Sequence, residues 1–126
     1  MRYPRDLIES ITRSHKERGF EYLARLDDGA ILAMANVIRS PLTGFELMIL
    51  IVDKDLRGRG LGQLMLEEIV ALAVEGGYRD VKTDVFVDNK AMLRLLIQND
   101  FVITKLDAYL RADGMARVEL KKRLST

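Results

Sequence analysis

Between residues 47 and 75 an apolar run, three closely spaced glycines and an amphipathic stretch follow one another, and this order constrains the chain more than any other feature. Leu47-Met48-Ile49-Leu50-Ile51-Val52 carries no polar residue, so it predicts a central strand with both faces covered. From Leu61 to Glu75, Leu61, Met65, Ile69 and Leu72 recur at helical spacing, with Gln63, Glu67 and Glu68 towards water, which predicts a helix. Arg57-Gly58-Arg59-Gly60-Leu61-Gly62 therefore lies where a strand ends and a helix begins. N–H groups at a helix start lack intrahelical partners and carry partial positive charge. Glycines let an anion approach them without interference from Cβ, and Arg57 and Arg59 add two full charges. Such a turn suits a phosphate; it is also compatible with a plain tight turn.

The glycine spacing narrows the ligand. Counted from Gly58, the sixth position of a dinucleotide fingerprint is Gln63, where glycine is required. No Gly-Lys-Ser/Thr follows, so the chain carries no P-loop here. What remains is Arg-x-x-Gly-x-Gly, which resembles the pyrophosphate-binding motif of the GNAT family of N-acetyltransferases, Gln/Arg-x-x-Gly-x-Gly/Ala. The lead-in Val52-Asp53-Lys54-Asp55-Leu56 is similar too. A second segment adds to this: Val81 to Val87 reads as a strand, Asp88-Asn89 follows, Lys90 to Asn99 reads as a helix, and Phe101 opens another strand. Asn89 and Phe101 fall where the family places an Asn and a Gly-Phe pair.

The remaining organisation is that of one domain over residues 1–126. Asp6 to Arg18 predicts a helix, and Phe20 to Leu26 and Ala30 to Ile38 predict strands joined at Asp28-Gly29. Ser40 to Gly44 reads as a loop, and Phe101 to Leu110 and Met115 to Leu124 as a final strand pair. The expected class is α+β: a mixed, mostly antiparallel sheet around a central β-α-β crossover. The resemblance implies that the two parallel strands splay and that the pantetheine arm of acetyl-CoA enters the gap. Unpaired backbone groups around Leu50, Ile51 and Val52 then meet the pantetheine amides, and one N–H polarises the thioester carbonyl. Arg57, Gly58, Arg59, Gly60, Leu61 and Gly62 are the expected pyrophosphate cradle, with Asn89 also on the cofactor side. The same apolar residues serve equally as core.

The implied reaction is acetyl transfer from acetyl-CoA to a primary amine. At pH 7 only roughly one alkylamine molecule in a thousand is neutral, a handicap of about 4 kcal/mol unless a base takes the proton. Members of the family often place a carboxylate on the fourth strand for this; Glu46, just before the apolar run, is the candidate, and a solvated strand-end glutamate is the alternative. Asp53 and Asp84 are weaker candidates. Two positions depart from the family pattern. Leu96 stands where many members carry a tyrosine as general acid, and Asp100 replaces the glycine before Phe101. Tyr78 and Tyr109 are the tyrosines that could substitute. The family usually begins with a strand and two helices that wall the acceptor site; here Met1-Arg2-Tyr3-Pro4 is too short for that strand and one helix is expected to follow. The resemblance therefore implies an open acceptor site, which favours lysine on a protein over small amines, and Asn89 to Leu95 also resembles the branch containing bacterial protein-lysine acetyltransferases. A homodimer partner is the other way to complete that wall. A non-catalytic acyl-CoA-binding or sensing module is the competing function, with Leu96 as its best support.

Composition excludes other classes. Net charge is +1, which implies no bulk attraction to nucleic acid. The chain has no cysteine, which removes disulfides, zinc-thiolate sites and a cysteine nucleophile. No metal-ligand cluster is visible, and no apolar run reaches transmembrane length, so a cytoplasmic protein is expected. Met34, Met48, Met65 and Met92 are expected to fill core, and His15 and Lys121-Lys122-Arg123 to be solvated.

Overall fold

Alternation of apolar and polar residues along most of the extended segments, and a 3.6-residue repeat along two others, build a half-covered sheet with helices on one face. The computed structural model describes residues 20–27, 30–40, 44–53, 58, 60–110 and 112–124. The helix expected over Asp6 to Arg18, the Asp28-Gly29 turn, and Arg57 and Arg59 lie outside the described residues. The elements run β1 (Phe20–Asp27), β2 (Ala30–Ser40), β3 (Gly44–Val52), α1 (Leu61–Glu75), β4 (Asp80–Phe86), α2 (Lys90–Gln98), β5 (Val102–Leu110) and β6 (Ala116–Arg123). Among the described residues they form a six-stranded sheet of order β1-β2-β3-β4-β6-β5. Among the described strands only β3 and β4 pair parallel, and α1 is their crossover.

Helices α1 and α2 cover one face. Met65, Leu66, Ile69 and Ala73 of α1 and Leu96 of α2 are buried against Val37, Phe45, Leu47, Val81 and Leu120 of the sheet. Each of these larger side chains stabilises the fold by about 1.5–3 kcal/mol relative to exposure, and Ala73 by less. Leu61 and Leu72 of the expected stripe are only half-buried, while Leu66 and Ala73 join it from the next positions.

β3 departs from the expectation in two ways. It begins at Gly44, so Glu46 lies inside the strand rather than before it. Among the described residues it is also covered on one face only. Met48, Ile49 and Ile51 are exposed, although the apolar run predicts burial on both sides, and Met48 therefore does not fill core. The cause is a bulge. Val37 pairs with Leu47 and Asn36 with Ile49, which leaves Met48 as an extra residue. Before it, Phe45 and Leu47 point into the core; after it, Leu50 and Val52 do. The one-residue slip turns Ile49 and Ile51 to the open face.

Candidate active site

The site begins where β3 and β4 part. Their parallel pairing is limited to Phe45 with Val81, Glu46 with Lys82, and Leu47 with Thr83. Beyond Leu47 the strands diverge. Thr83, 2% exposed, closes the last rung: its Oγ1 donates to the Leu47 carbonyl at 2.8 Å. The bulge at Met48 follows immediately. Further along, Asp53 donates its N–H to Leu32 O across to β2 at 2.9 Å. Groups alternate sides along an extended strand, so Ile51 also faces β2, whereas Leu50 and Val52 turn their backbone groups towards the gap. Of the three residues expected to meet pantetheine through the backbone, Leu50 and Val52 have the orientation for it. Ile51 offers its side chain.

On one side of the gap lies a cavity of about 610 Å³, lined by Leu50, Ile51, Val52, Gly58, Gly60, Leu61, Gly62 and Asn89 among others. Gly58 and Gly60 adopt φ of +82° and +80°, which L side chains rarely do, and a Cβ on either would meet nothing within 4 Å. The glycines thus permit a turn whose outer surface is open. Gly62 has a different reason: a Cβ there would come within 3.3 Å of Leu95 Cδ2, so it lets α1 approach α2. Helix α1 starts at Gly60 with no side-chain cap and no acidic residue in its first turn, leaving its N–H groups for an anion. Asn89 has a structural duty as well, capping α2 by accepting from Met92 N at 3.3 Å.

Sequence reading missed the brace across this cavity. Gln63 of α1 and Asn99 after α2 exchange two amide hydrogen bonds of 2.7 Å, and Asn99 Nδ2 also donates to Leu95 O. Lys122, read as solvated, donates to Asn99 O at 2.7 Å and ties β6 to the same point. The partners are 36 residues apart in sequence, so no local pattern announces them.

On the other side lies a cavity of about 440 Å³ between β3 and β4, sharing Leu50, Ile51, Asn89 and Met92 with the first. Glu46, Asp84, Asp88 and Arg117 bring charge to it, and Met48, Ile49 and Phe86 are apolar lining. Glu46 Oε1 pairs with Lys82 Nζ at 3.2 Å, and Lys82 reaches Glu119 Oε1 at 3.5 Å. Burial works against the Lys82 ammonium, but the hydrogen bond and charge of Glu46, with Glu119 and Asp84, outweigh it and hold its pKa above the usual value. The Thr104 hydroxyl, donating to Glu119 Oε2 at 2.7 Å, is the main cause holding that carboxyl below its ordinary value. Burial pushes the Asp84 carboxyl up; Arg117 and Lys82 oppose this and Glu46 and Glu119 reinforce it.

Three expectations are redrawn. Asp53 lines neither cavity. Leu96 is fully buried beneath α2, so the position of the family's tyrosine is core. Tyr78 packs on Phe45, ring centroids 5.5 Å apart, at the end of β3 away from the gap; the Tyr109 side chain lies outside the described residues. Asp100 does take over the glycine's conformation, at φ +69°. Among the described residues no group of three metal-ligating side chains occurs, and no helix is long and apolar enough to cross a membrane.

Fold and gap together define a sheet that takes an extended ligand between diverging parallel strands, its anionic end at an open helix start. Residues 1–101 match the sequence model of the acetyltransferase (GNAT) family, and the chain belongs to that family. It is an acetyl-CoA-dependent N-acyltransferase, with acetyl-CoA as cosubstrate. No curated protein matches the sequence significantly. Solved structures show the same fold. An IAA acetyltransferase from Bacillus cereus is 16% identical, covers 98% of this chain and 97% of its own, and superposes with a TM-score of 0.78. The ribosomal-protein-S18-alanine N-acetyltransferase from Escherichia coli is 21% identical, with 94% and 77% coverage and a TM-score of 0.77. A Bacillus subtilis acetyltransferase in complex with CoA is 13% identical, with 98% and 95% coverage and a TM-score of 0.74.

Proposed function

We propose that this chain acetylates a primary amine that reaches the gap from the open face of the sheet, with lysine on a protein favoured over small amines. The observation that carries this reading is the meeting of the two cavities at the split between β3 and β4. Gly58, Gly60, Leu61 and Gly62, with Arg57 and Arg59, hold the pyrophosphate at the start of α1. Leu50 and Val52 pair with the pantetheine amides, Ile51 packs beside the arm, and Asn89 shapes its exit. Acetyl-CoA supplies the acyl group as an activated thioester. The Leu50 N–H is the donor suited to the thioester oxygen, because it faces the gap without a β4 partner.

Glu46 takes the proton from the incoming ammonium, directly or through water. It lines the acceptor cavity, and Lys82 pairs with its Oε1. A second reading assigns that role to Asp84, favoured by the upward push of burial on its carboxyl and by its place in the same wall. No tyrosine is assigned as general acid. A thiol has a pKa near 8.5, so the thiolate leaves tolerably without one. The preference for a protein acceptor draws on the exposed Met48, Ile49 and Ile51 beside the cavity, and on a neighbour of this fold named for a ribosomal-protein acceptor.

The test is release of free CoA with lysine peptides, polyamines, amino acids and aminoglycosides, using wild type and Glu46→Gln. The reading expects lysine peptides to give the highest kcat/KM. It expects Glu46→Gln to lower kcat by roughly 10²–10⁴, the usual worth of a general base. That deficit shrinks as pH rises from 6 to 10, because the amine then arrives neutral. A constant ratio across that range removes Glu46 and leaves Asp84 as the base.

A further inference from the structure

We infer that Lys82 is a positioning residue for acetyl transfer: it fixes the Glu46 carboxylate by one oxygen and so presents the other to the acceptor amine. The inference rests on Glu46 as the base. Glu46, Lys82 and Glu119 alternate with buried neighbours along β3, β4 and β6, so all three stand on the open face of the sheet. Glu46 and Lys82 lie directly opposite one another, one rung before the last pair of β3 and β4. Lys82 Nζ is 3.2 Å from Glu46 Oε1 and 3.5 Å from Glu119 Oε1. Glu119 is held in turn from β5, where the Thr104 hydroxyl donates to its Oε2 at 2.7 Å. A polar ladder therefore crosses four strands and ends at the acceptor cavity. Glu46 lines that cavity; Lys82 and Glu119 stand behind it and line neither.

Stability does not account for the pair. The Lys82 side chain is 32% exposed, and ion pairs so exposed contribute little to folding. Orientation does account for it. An untethered glutamate samples several rotamers, whereas one oxygen bound to a fixed ammonium leaves few. Oε1 takes that bond, and among the described residues Glu46 Oε2 has no partner. When Oε2 takes the proton, an N–H bond of the acceptor breaks, an O–H bond forms, and the nitrogen lone pair is freed for the thioester carbon. Glu46 is then neutral. Lys82 keeps Glu119 as its counter-ion, so the step leaves no unpaired cation beside the cavity.

Steady-state kinetics of the full chain test this, with acetyl-CoA and whichever amine among lysine peptides, polyamines, amino acids and aminoglycosides gives the highest kcat/KM. The variants are Lys82→Met, Lys82→Arg, Glu46→Gln and the double variant Glu46→Gln/Lys82→Met. Lys82→Met keeps the apolar stem and lowers kcat by roughly 10–10²-fold, the scale of a misplaced catalytic group. CoA affinity, read by calorimetry, is unchanged. Lys82→Arg keeps a cation within reach of both carboxylates and restores most of the lost kcat. In the Glu46→Gln background Lys82→Met costs nothing further, because the carboxylate it positions is gone. Should Lys82→Met fail to fold, Lys82→Gln replaces it with the same expectations. A wild-type kcat in Lys82→Met overturns the inference. So does a loss that falls on CoA affinity, one that arginine does not restore, or one repeated in full beside Glu46→Gln. A Glu46→Gln variant with undiminished kcat is a separate result: it removes Glu46 as base, and the positioning role with it.

Discussion

Replacing Thr83 with valine removes one hydroxyl and leaves nearly the same volume at the point where β3 and β4 part. Thr83 is 2% exposed, and its hydroxyl is 2.8 Å from the Leu47 carbonyl. Valine leaves that carbonyl short of a buried partner, at about 1–3 kcal/mol, while the added methyl returns about 0.8 kcal/mol of apolar burial. The net expectation is a loss of about 0.2–2.2 kcal/mol, or a fall in Tm of roughly 1–10 °C for a domain of this size. Function should suffer more than stability. The bulge at Met48 and the gap-facing Leu50 N–H both follow directly on this rung. Loosening it blurs the strand edge offered to pantetheine and the donor offered to the thioester oxygen. Thermal melting with calorimetric titration of CoA reads both effects, and Thr83→Ser serves as control because it keeps the hydroxyl. Serine should retain CoA affinity and valine should lose it. A valine variant with unchanged Tm and affinity, or a serine variant as impaired as valine, refutes the assignment of the hydroxyl.

Other consequences are more local. In Gly60→Val the new Cβ meets nothing within 4 Å, but φ of +80° is costly for a β-branched residue, so the turn must rearrange; CoA affinity measured by calorimetry should fall at least about tenfold in a folded protein. Asn99→Leu breaks the paired amide bonds to Gln63 and the bond to Leu95 O, and should weaken CoA binding while lowering stability by about 1–2 kcal/mol, read by titration and by urea unfolding. Asp100→Gly relieves a non-glycine residue at φ +69° and should raise stability by about 0.5 kcal/mol, since the Lys122 ion pair it removes is long, at 3.9 Å, and its Asp100 side chain is 92% exposed.

The glycine loop and its flanking elements were legible because their signals are local: glycines at fixed spacing after an apolar run and before a helical repeat. The same locality explains what was not legible. Met48 and Ile49 look like core residues in isolation, and only the register against Asn36 and Val37 of β2 turns them outward. Glu46 reads as a strand-end residue until the pairing with Lys82 extends β3 back to Gly44. Thr83 is an ordinary polar position in an alternating strand; its role appears only when Leu47 lies beside it. The parting of the parallel strands came from family resemblance, since no residue pattern encodes where a parallel pair ends.

Amide hydrogen exchange of the whole chain, with and without CoA, tests the central claim most directly, because it reports which backbone groups the cosubstrate occupies. If the arm lies in the split and the pyrophosphate at the start of α1, saturating CoA slows exchange at Leu50 and Val52 and at Leu61, Gly62 and Gln63. Exchange at Ile51, already turned towards β2, should change least along that strand. Saturating binding that leaves both the gap-facing amides of β3 and the first turn of α1 at their free rates contradicts the account.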